Sequence, residues 1–528
     1  MFTACTSGRD AGSGQPPETP SGTASGRERW AGIFDPDDDV LTVAVGDPFS
    51  LDPMRAQDPA SLLIARQLYE GLTRWDPIEE KVLPAAAESW TVSDTGTEFT
   101  FRLRAGLSFH DDSPVTARDF KYAFDRIALK ANAAELAYIL EPIEGFPLVN
   151  QLGVSDRLSG VRVVDDRTLI IRTVDPFYDL PAALTHPGLV PLQSAAVEDF
   201  ESFLTAPVGN GPFRMAQRWV PGDPVLLRAF LGWPDTPELE GIAFLPYPTA
   251  ATSWIQWLDG KIHVAEVPSG QVATAREIAG DEGFRTLLAT YAFGLNSDSE
   301  PLTDIRVRRA INHAIDRDTI VATIFKGTLQ PTRGIVPSGM PGFIENACVR
   351  LCRYSPDSAR AVVDGLPASI RRLRITFSGG GVHRRVVRAV AKDLTAVGFH
   401  VRVQPLAFDR YLAHLASGEH QMYRLGWISE YPAPDAFLDD LFATDSEDNY
   451  SGFSSTAVDD LLERAHAEPS PNRRASLYEE AERLVLQAAP IVPIGTYASN
   501  WATRPEVQGI VFDQMGGFDA AAVDLARG

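Results

Sequence analysis

The sequence predicts an α/β protein. Strand-like and helix-like apolar patterns alternate along its length, and neighbouring segments switch sharply between a two-residue period and a 3.6-residue period. Length adds a third constraint: 528 residues exceed the roughly 250–300 that one core organises, so two or three domains are expected.

The elements follow in order. LTVAVGD reads as a strand in which Leu41, Val43 and Val45 alternate, and SLLIARQLYEGL as a helix ending at Gly71. In EFTFRLRAG, Phe99, Phe101 and Leu103 alternate with Thr100, Arg102 and Arg104, the pattern of an antiparallel strand with one wet face. TARDFKYAFDRIAL then changes period: Thr116 is placed to cap a helix with Asp119 three residues on, and Phe120, Phe124 and Ile127 line one face. A second block begins near Leu295. Its clearest element is DIRVRRAINHAIDRDTI, with Val307, Ala310, Ile311, Ala314 and Ile315 on one helical stripe. RLRITFSGGG, HRRVVRAVAKDLTAVG and FHVRVQPL read as strand, helix and strand, a βαβ-like unit. SSTAVDDLLERAHAE and PNRRASLYEEAERLVLQAAP read as two helices, the second stopped by Pro490, before the strand-like IVPIGTYA. No internal repeat is present.

Charge narrows the partners. The chain carries 48 Lys and Arg against 70 Asp and Glu, a net charge of −22, which repels phosphate backbones and supplies no stripe for counterion release. Nucleic acid is therefore not an expected partner. Every apolar run is broken by Pro, Gly or charge before the length of a membrane span. At the N-terminus, Phe2, Thr3 and Ala4 before Cys5 resemble the end of a bacterial lipobox, where the Cys receives lipid; the alternative is an ordinary Cys in an unstructured tail. The Gly, Ser, Thr and Pro that follow, through residue 34, suit a flexible tether. Cys348 and Cys352 have no His or Cys neighbours for a zinc site, so a local disulfide in an oxidising compartment is expected over two free thiols.

Catalytic signatures are sparse. HExxH, CxxC, GxSxG and the phosphate loop GxxxxGK[ST] are absent, and Gly379, Gly380 and Gly381 lack dinucleotide-loop spacing. His110, beside Asp111 and Asp112, could suggest a metal, but a hydrogen-bonded turn is the stronger expectation. His414 and His420 have weak ligand spacing. No enzyme activity, metal or other cofactor is expected, and an extracytoplasmic hydrolase built on His110 is the less favoured reading.

Four stretches carry a resemblance. They are SLDPMRAQDPASLLIARQLYEGLTRWDP with VLPAAAESWTVSDTGTEFTFRLRAGLSFHDDSPVTARDFKYAFDR, then APVGNGPFRMAQRW, DIRVRRAINHAIDRDTIV and RLGWISEYPAPDAFLDDLF. In this order they resemble the family 5 extracellular solute-binding proteins, the dipeptide-, oligopeptide- and nickel-binding group that includes bacterial oligopeptide-binding lipoproteins. The resemblance implies a two-lobed periplasmic-binding-protein-like fold of the large type II, cluster C class, with the ligand cleft between the lobes. Lobe I would be 35–69, 207–291 and 491–528, with an inserted domain at 70–206, and lobe II would be 292–490. It further implies an extracytoplasmic protein, held to the membrane only by its lipid, that captures short peptides and delivers them to the permease of an ABC importer; a monomer is expected separately. A non-peptide solute such as a metal chelate, haem, sugar or antibiotic is the alternative on the same scaffold.

The same resemblance nominates binding residues. Glu430 stands where oligopeptide-binding relatives hold the ligand's ammonium group with Asp, and a buried ammonium requires such a paired anion. Trp427 and Tyr431 flank it with rigid aromatic faces. Arg424 matches an Arg that contacts the peptide carboxyl end through its fork of donors. Asn449, Tyr291, Phe293, Gln57 and Ser61 fall near further ligand-contacting positions.

Overall fold

The computed structural model describes residues 33–35 and 38–526, so Cys5 and the tether through residue 32 lie outside the described residues. The chain divides into two compact units. One is continuous, Thr286–Ser499; the other is discontinuous, running to Arg285 and resuming at Asn500. The divisions fall at 285/286 and 499/500 rather than at 291/292 and 490/491. The reason is that the two strands flanking the expected crossings pair with each other and belong to one sheet.

The discontinuous unit is built on a six-stranded sheet centred on β1 (Val40–Val45). β1 pairs in parallel with both Gly241–Pro246 and Val264–Glu266, and the sheet runs on to Trp501–Thr503 at one edge and Phe213–Met215 at the other. The alternation read in LTVAVGD misleads here. All six residues of β1 are buried, because a central parallel strand is covered on both faces. Helix α1 (Pro59–Leu68) starts at Asp58, whose carboxylate accepts from Ser61 N–H, and Pro59 supplies the preset first turn. It ends at Leu68, short of Gly71, and the Leu68 carbonyl is taken by the Gly211 N–H.

Residues 70–206 carry their own four-stranded antiparallel sheet, Ala87–Val92, Glu98–Leu103, Thr168–Arg172 and Val161–Asp165 in spatial order. Phe99, Phe101 and Leu103 are buried, with the residues between them more exposed, as the period of two requires. α2 (Ala117–Ala128) carries the expected reciprocal cap between Thr116 and Asp119, and buries Phe120, Phe124 and Ile127.

The continuous unit holds the second six-stranded sheet. It contains β2 (Thr286–Leu295), β3 (Arg372–Ser378), β4 (His400–Leu406), β5 (Met422–Ile428) and β6 (Ile491–Ala498). The order is Leu329–Pro331, β6, β2, β5, β3, β4. α3 (Ile305–Ala314), capped by Asp304, packs Val307, Ala310 and Ile311 into the core of this unit. It stops before Ile315, because the Asp316 carboxylate caps a new turn at Arg317–Ile320. β3, α4 (Gly381–Ala396) and β4 form the expected βαβ unit, with β3 and β4 parallel in register from Arg372 opposite His400 to Ser378 opposite Leu406. Cys348 and Cys352 are bonded and buried. No helix among the described residues is long and apolar enough to cross a membrane.

Candidate ligand-binding site

The antiparallel register of β2 and β5 sets Phe293 opposite Arg424, Tyr291 opposite Gly426 and Thr290 opposite Trp427. Opposed residues share a face, so Tyr291, Phe293 and Arg424 come together. The Arg424 guanidinium lies 5.6 Å from the Tyr291 ring centroid, a cation–π distance, and Tyr291 meets Phe293 edge-on at 6.1 Å. His383, from the first turn of α4, completes the group. Its ring stacks on Tyr291 at 5.7 Å, and its Nδ1 lies 3.4 Å from the Tyr291 hydroxyl and 3.5 Å from Arg424 Nη1. The sequence reading passed over His383; the signal available was a His on the first helical turn after the strand and Gly run of SGGGVHRR.

Burial governs the charges. Arg424 is 8% exposed, its Nε is buried without an acceptor, and no carboxylate among the described residues pairs with it. Burial, reinforced by Arg424, lowers the His383 pKa to about 4, so the imidazole is neutral near pH 7 and its Nδ1 lone pair faces two donors. Burial also raises the Tyr291 hydroxyl above its ordinary range. The Tyr411 hydroxyl donates to the Arg424 carbonyl, fixing the strand from behind. The result is a guanidinium held without a fixed anion, an arrangement that favours a carboxylate arriving from outside.

Beyond β5 the chain turns through Ser429, Glu430 and Tyr431 into α5 (Asp435–Phe442). Trp427 is buried and donates from Nε1 to the Ala436 carbonyl, while the Tyr431 hydroxyl donates to Asp435 Oδ2 at 2.9 Å. Glu430 is half-buried between them in sequence. Acid is concentrated here: the Asp440 carboxyl is pushed well above the usual range, first by burial and then by Asp435 and Asp439. Asn449 has spent its side chain on the loop around it, donating to the Ala443 and Phe453 carbonyls and accepting from Ser451.

In the discontinuous unit, Gln57 is half-buried ahead of α1, and the buried Ser61 hydroxyl accepts from Ser50 N–H and donates to Asp58. His110 is a framework residue. Its Nδ1 accepts from Gly209 N–H and its Nε2 bonds the Gly211 carbonyl, so the FHDDSPV and PVGNGP stretches lock together. Burial lowers its pKa to about 4. Gly209 must lack a side chain, since a Cβ there would lie 2.0 Å from the Leu68 carbonyl oxygen. Among the described residues no group of three His, Cys, Asp or Glu is arranged to hold a metal. The Gly379–Gly381 run forms the turn from β3 into α4.

Two α/β units, one holding a buried guanidinium that has no carboxylate partner among the described residues and packs beside the core aromatics Tyr291 and Phe293, are compatible with a protein that binds small solutes. A profile of the bacterial extracellular solute-binding proteins, family 5 middle region, matches residues 81–449. The chain belongs to this family. It is 26% identical to the oligopeptide-binding protein OppA of Bacillus subtilis over 491 residues, covering 89% of each chain. It is 25% identical to the dipeptide-binding protein of Escherichia coli K12 over 477 residues, 85% of this chain and 87% of that one. Its fold is similar to that of HbpA2 from Haemophilus parasuis, with a TM-score of 0.80 at 22% identity over 92% of this chain and 100% of that one.

Proposed function

We propose that this protein captures short peptides outside the cytoplasm and delivers them to the permease of an ABC importer. The observation that carries the reading is Arg424, a buried guanidinium with no carboxylate partner among the described residues and with neutral His383 and Tyr291 around it. A free peptide has the matching group in its terminal carboxylate. Glu430 then serves as counter-charge for the terminal ammonium, with Trp427 and Tyr431 covering side chains without choosing among them. On the continuous unit Phe293 stands beside Tyr291 and opposite Arg424 while the Asn449 amide holds its own loop, and on the discontinuous unit the Ser61 hydroxyl holds the backbone near Gln57. The relatives' names, oligopeptide-binding and dipeptide-binding, support the same ligand class. The reading extends to a monomer that binds without transforming its ligand, tethered through lipid on Cys5.

The test is native mass spectrometry of freshly purified protein, followed by sequencing of what it releases and titration with unmodified and C-terminally amidated peptides. Retained peptides, with affinity lost in Glu430→Gln and Arg424→Met, are the expected result. A retained chelate, sugar or haem overturns the peptide assignment while leaving the family intact.

A further inference from the structure

The continuous unit carries a concavity of about 590 Å³ that none of the roles above uses. It opens at the start of β3 and β4, and its lining includes Arg372, Arg374, His400, Arg402 and Gln421 with Phe399, and no Asp or Glu. The register places Arg372 opposite His400 and Arg374 opposite Arg402. Arg374 and Arg402 are like charges directly opposed on neighbouring strands, an unfavourable arrangement. Nothing nearby offsets it: among the described residues none of these four side chains forms an ion pair, and Arg374 Nε is buried without an acceptor. Arg374 Nη2 does donate to the Glu419 carbonyl, which aims the guanidinium but adds no negative charge.

Charges on β4 alone would be ordinary, because β4 is the sheet's edge and edge strands use cations to repel other strands. Arg372 and Arg374 stand on β3, an inner strand of the sheet that pairs with β4 along its whole length and with β5 from Ile375 onward, the Arg374 N–H going to the Gln421 side chain instead. A chain of net charge −22 has also gathered these cations at one place against its overall balance. Forked donors converging on one hollow suit the several oxygens of a phosphate group, which guanidinium binds bidentately. We propose that the hollow at the start of β3 and β4 is an anion-binding site for a phosphate ester, with Arg374 and Arg402 as its principal ligands. The shared chemistry is that of a small phosphomonoester and of an anionic phospholipid headgroup. This site is separate from the peptide reading and stands without it.

Glycerol phosphate is titrated into the full chain by calorimetry, and vesicles of phosphatidylglycerol, against phosphatidylcholine alone, are tested by co-sedimentation. Saturable binding of one of these anionic probes is expected, weakened by about tenfold or more, ~1.4 kcal/mol, in Arg374→Gln/Arg402→Gln. Arg388→Gln, an exposed cation on α4, should leave it unchanged. Glycerol phosphate binding without vesicle binding assigns a soluble ester; vesicle binding lost in the double variant assigns a headgroup. Absence of binding to both, or equal loss in Arg388→Gln, overturns the site. If the double variant does not fold, Arg402→Gln alone, at an exposed position, carries the same comparison.

Discussion

Arg126 meets Asp52 through two parallel hydrogen bonds, Nη1 to Oδ1 at 2.9 Å and Nη2 to Oδ2 at 2.6 Å, with Asp52 fully buried. These two residues come from SLDP and AFDR, at either end of the longest stretch that resembled the family, so part of that pattern is structural. Removing one member strands a buried charge, and Asp52→Ala should cost about 3–5 kcal/mol. Chemical denaturation of Asp52→Ala, Arg126→Met and the double variant checks this; the double variant should recover much of the loss.

Arg424 behaves in the opposite sense. It has no carboxylate partner among the described residues to strand, so Arg424→Met should leave stability unchanged or raise it, while peptide affinity falls by about tenfold to a hundredfold, the ~1.5–3 kcal/mol of a hydrogen bond to a charged group. Amidating the peptide's carboxyl end should weaken binding to the parent protein and make little difference to the variant. Equal losses in both would separate Arg424 from the carboxylate.

Glu482 introduces pH dependence. It is fully buried, its Oε1 accepts from Ile335 and Val336 N–H, and burial raises its pKa from 4.5 to about 7. A carboxyl whose folded pKa is raised favours the native state most below its unfolded pKa, and this contribution is lost as pH rises toward the folded value. Its share of stability should therefore decline between pH 4.5 and 7, by about 3 kcal/mol at most. Glu70, raised to about 7 by burial against the pull of Arg104, contributes in the same direction. Melting curves across this range for Glu482→Gln should be flatter than the parent's.

The contact between Gly209 and Leu68 gives a sharper expectation. Ala at 209 would drive its methyl into a backbone oxygen that has no freedom to move, so Gly209→Ala should melt well below Ala at Gly270, which meets nothing within 4 Å. Chelator should change neither the melting point nor peptide binding, since the His110 nitrogens are occupied by backbone groups.

Local chemistry was legible in the sequence. The Thr116–Asp119 cap, the alternation from Phe99 to Leu103 and the strand, helix and strand of 372–406 all depend on residues close together in the chain, and each stands where it was expected. What failed depended on neighbours far along the chain. β1 looked half-exposed because nothing local reveals strands on both its sides, and the Leu68 carbonyl is claimed by a residue in another stretch altogether. The site showed the same limit. Arg424, Tyr291 and Phe293 came from the resemblance and converge, but His383 lies outside the motifs and only the packing of α4 on β2 brings it in. Asn449 and Ser61 have the right chemistry for ligand contact, yet the sequence could not show that their groups already bind the backbone around them.

The discontinuous unit has a temporal consequence. Trp501–Thr503 supplies an edge of the sheet that contains β1, Asp513 pairs with Arg66, and the Phe518 carbonyl accepts from Gln67 on α1. During synthesis and export the chain emerges from its amino end, so the first-made unit must wait, its α1 face uncovered, until residues 501–518 have arrived. The continuous unit has every strand of its sheet by residue 498 and is free to close first, making the earliest residues among the last to settle.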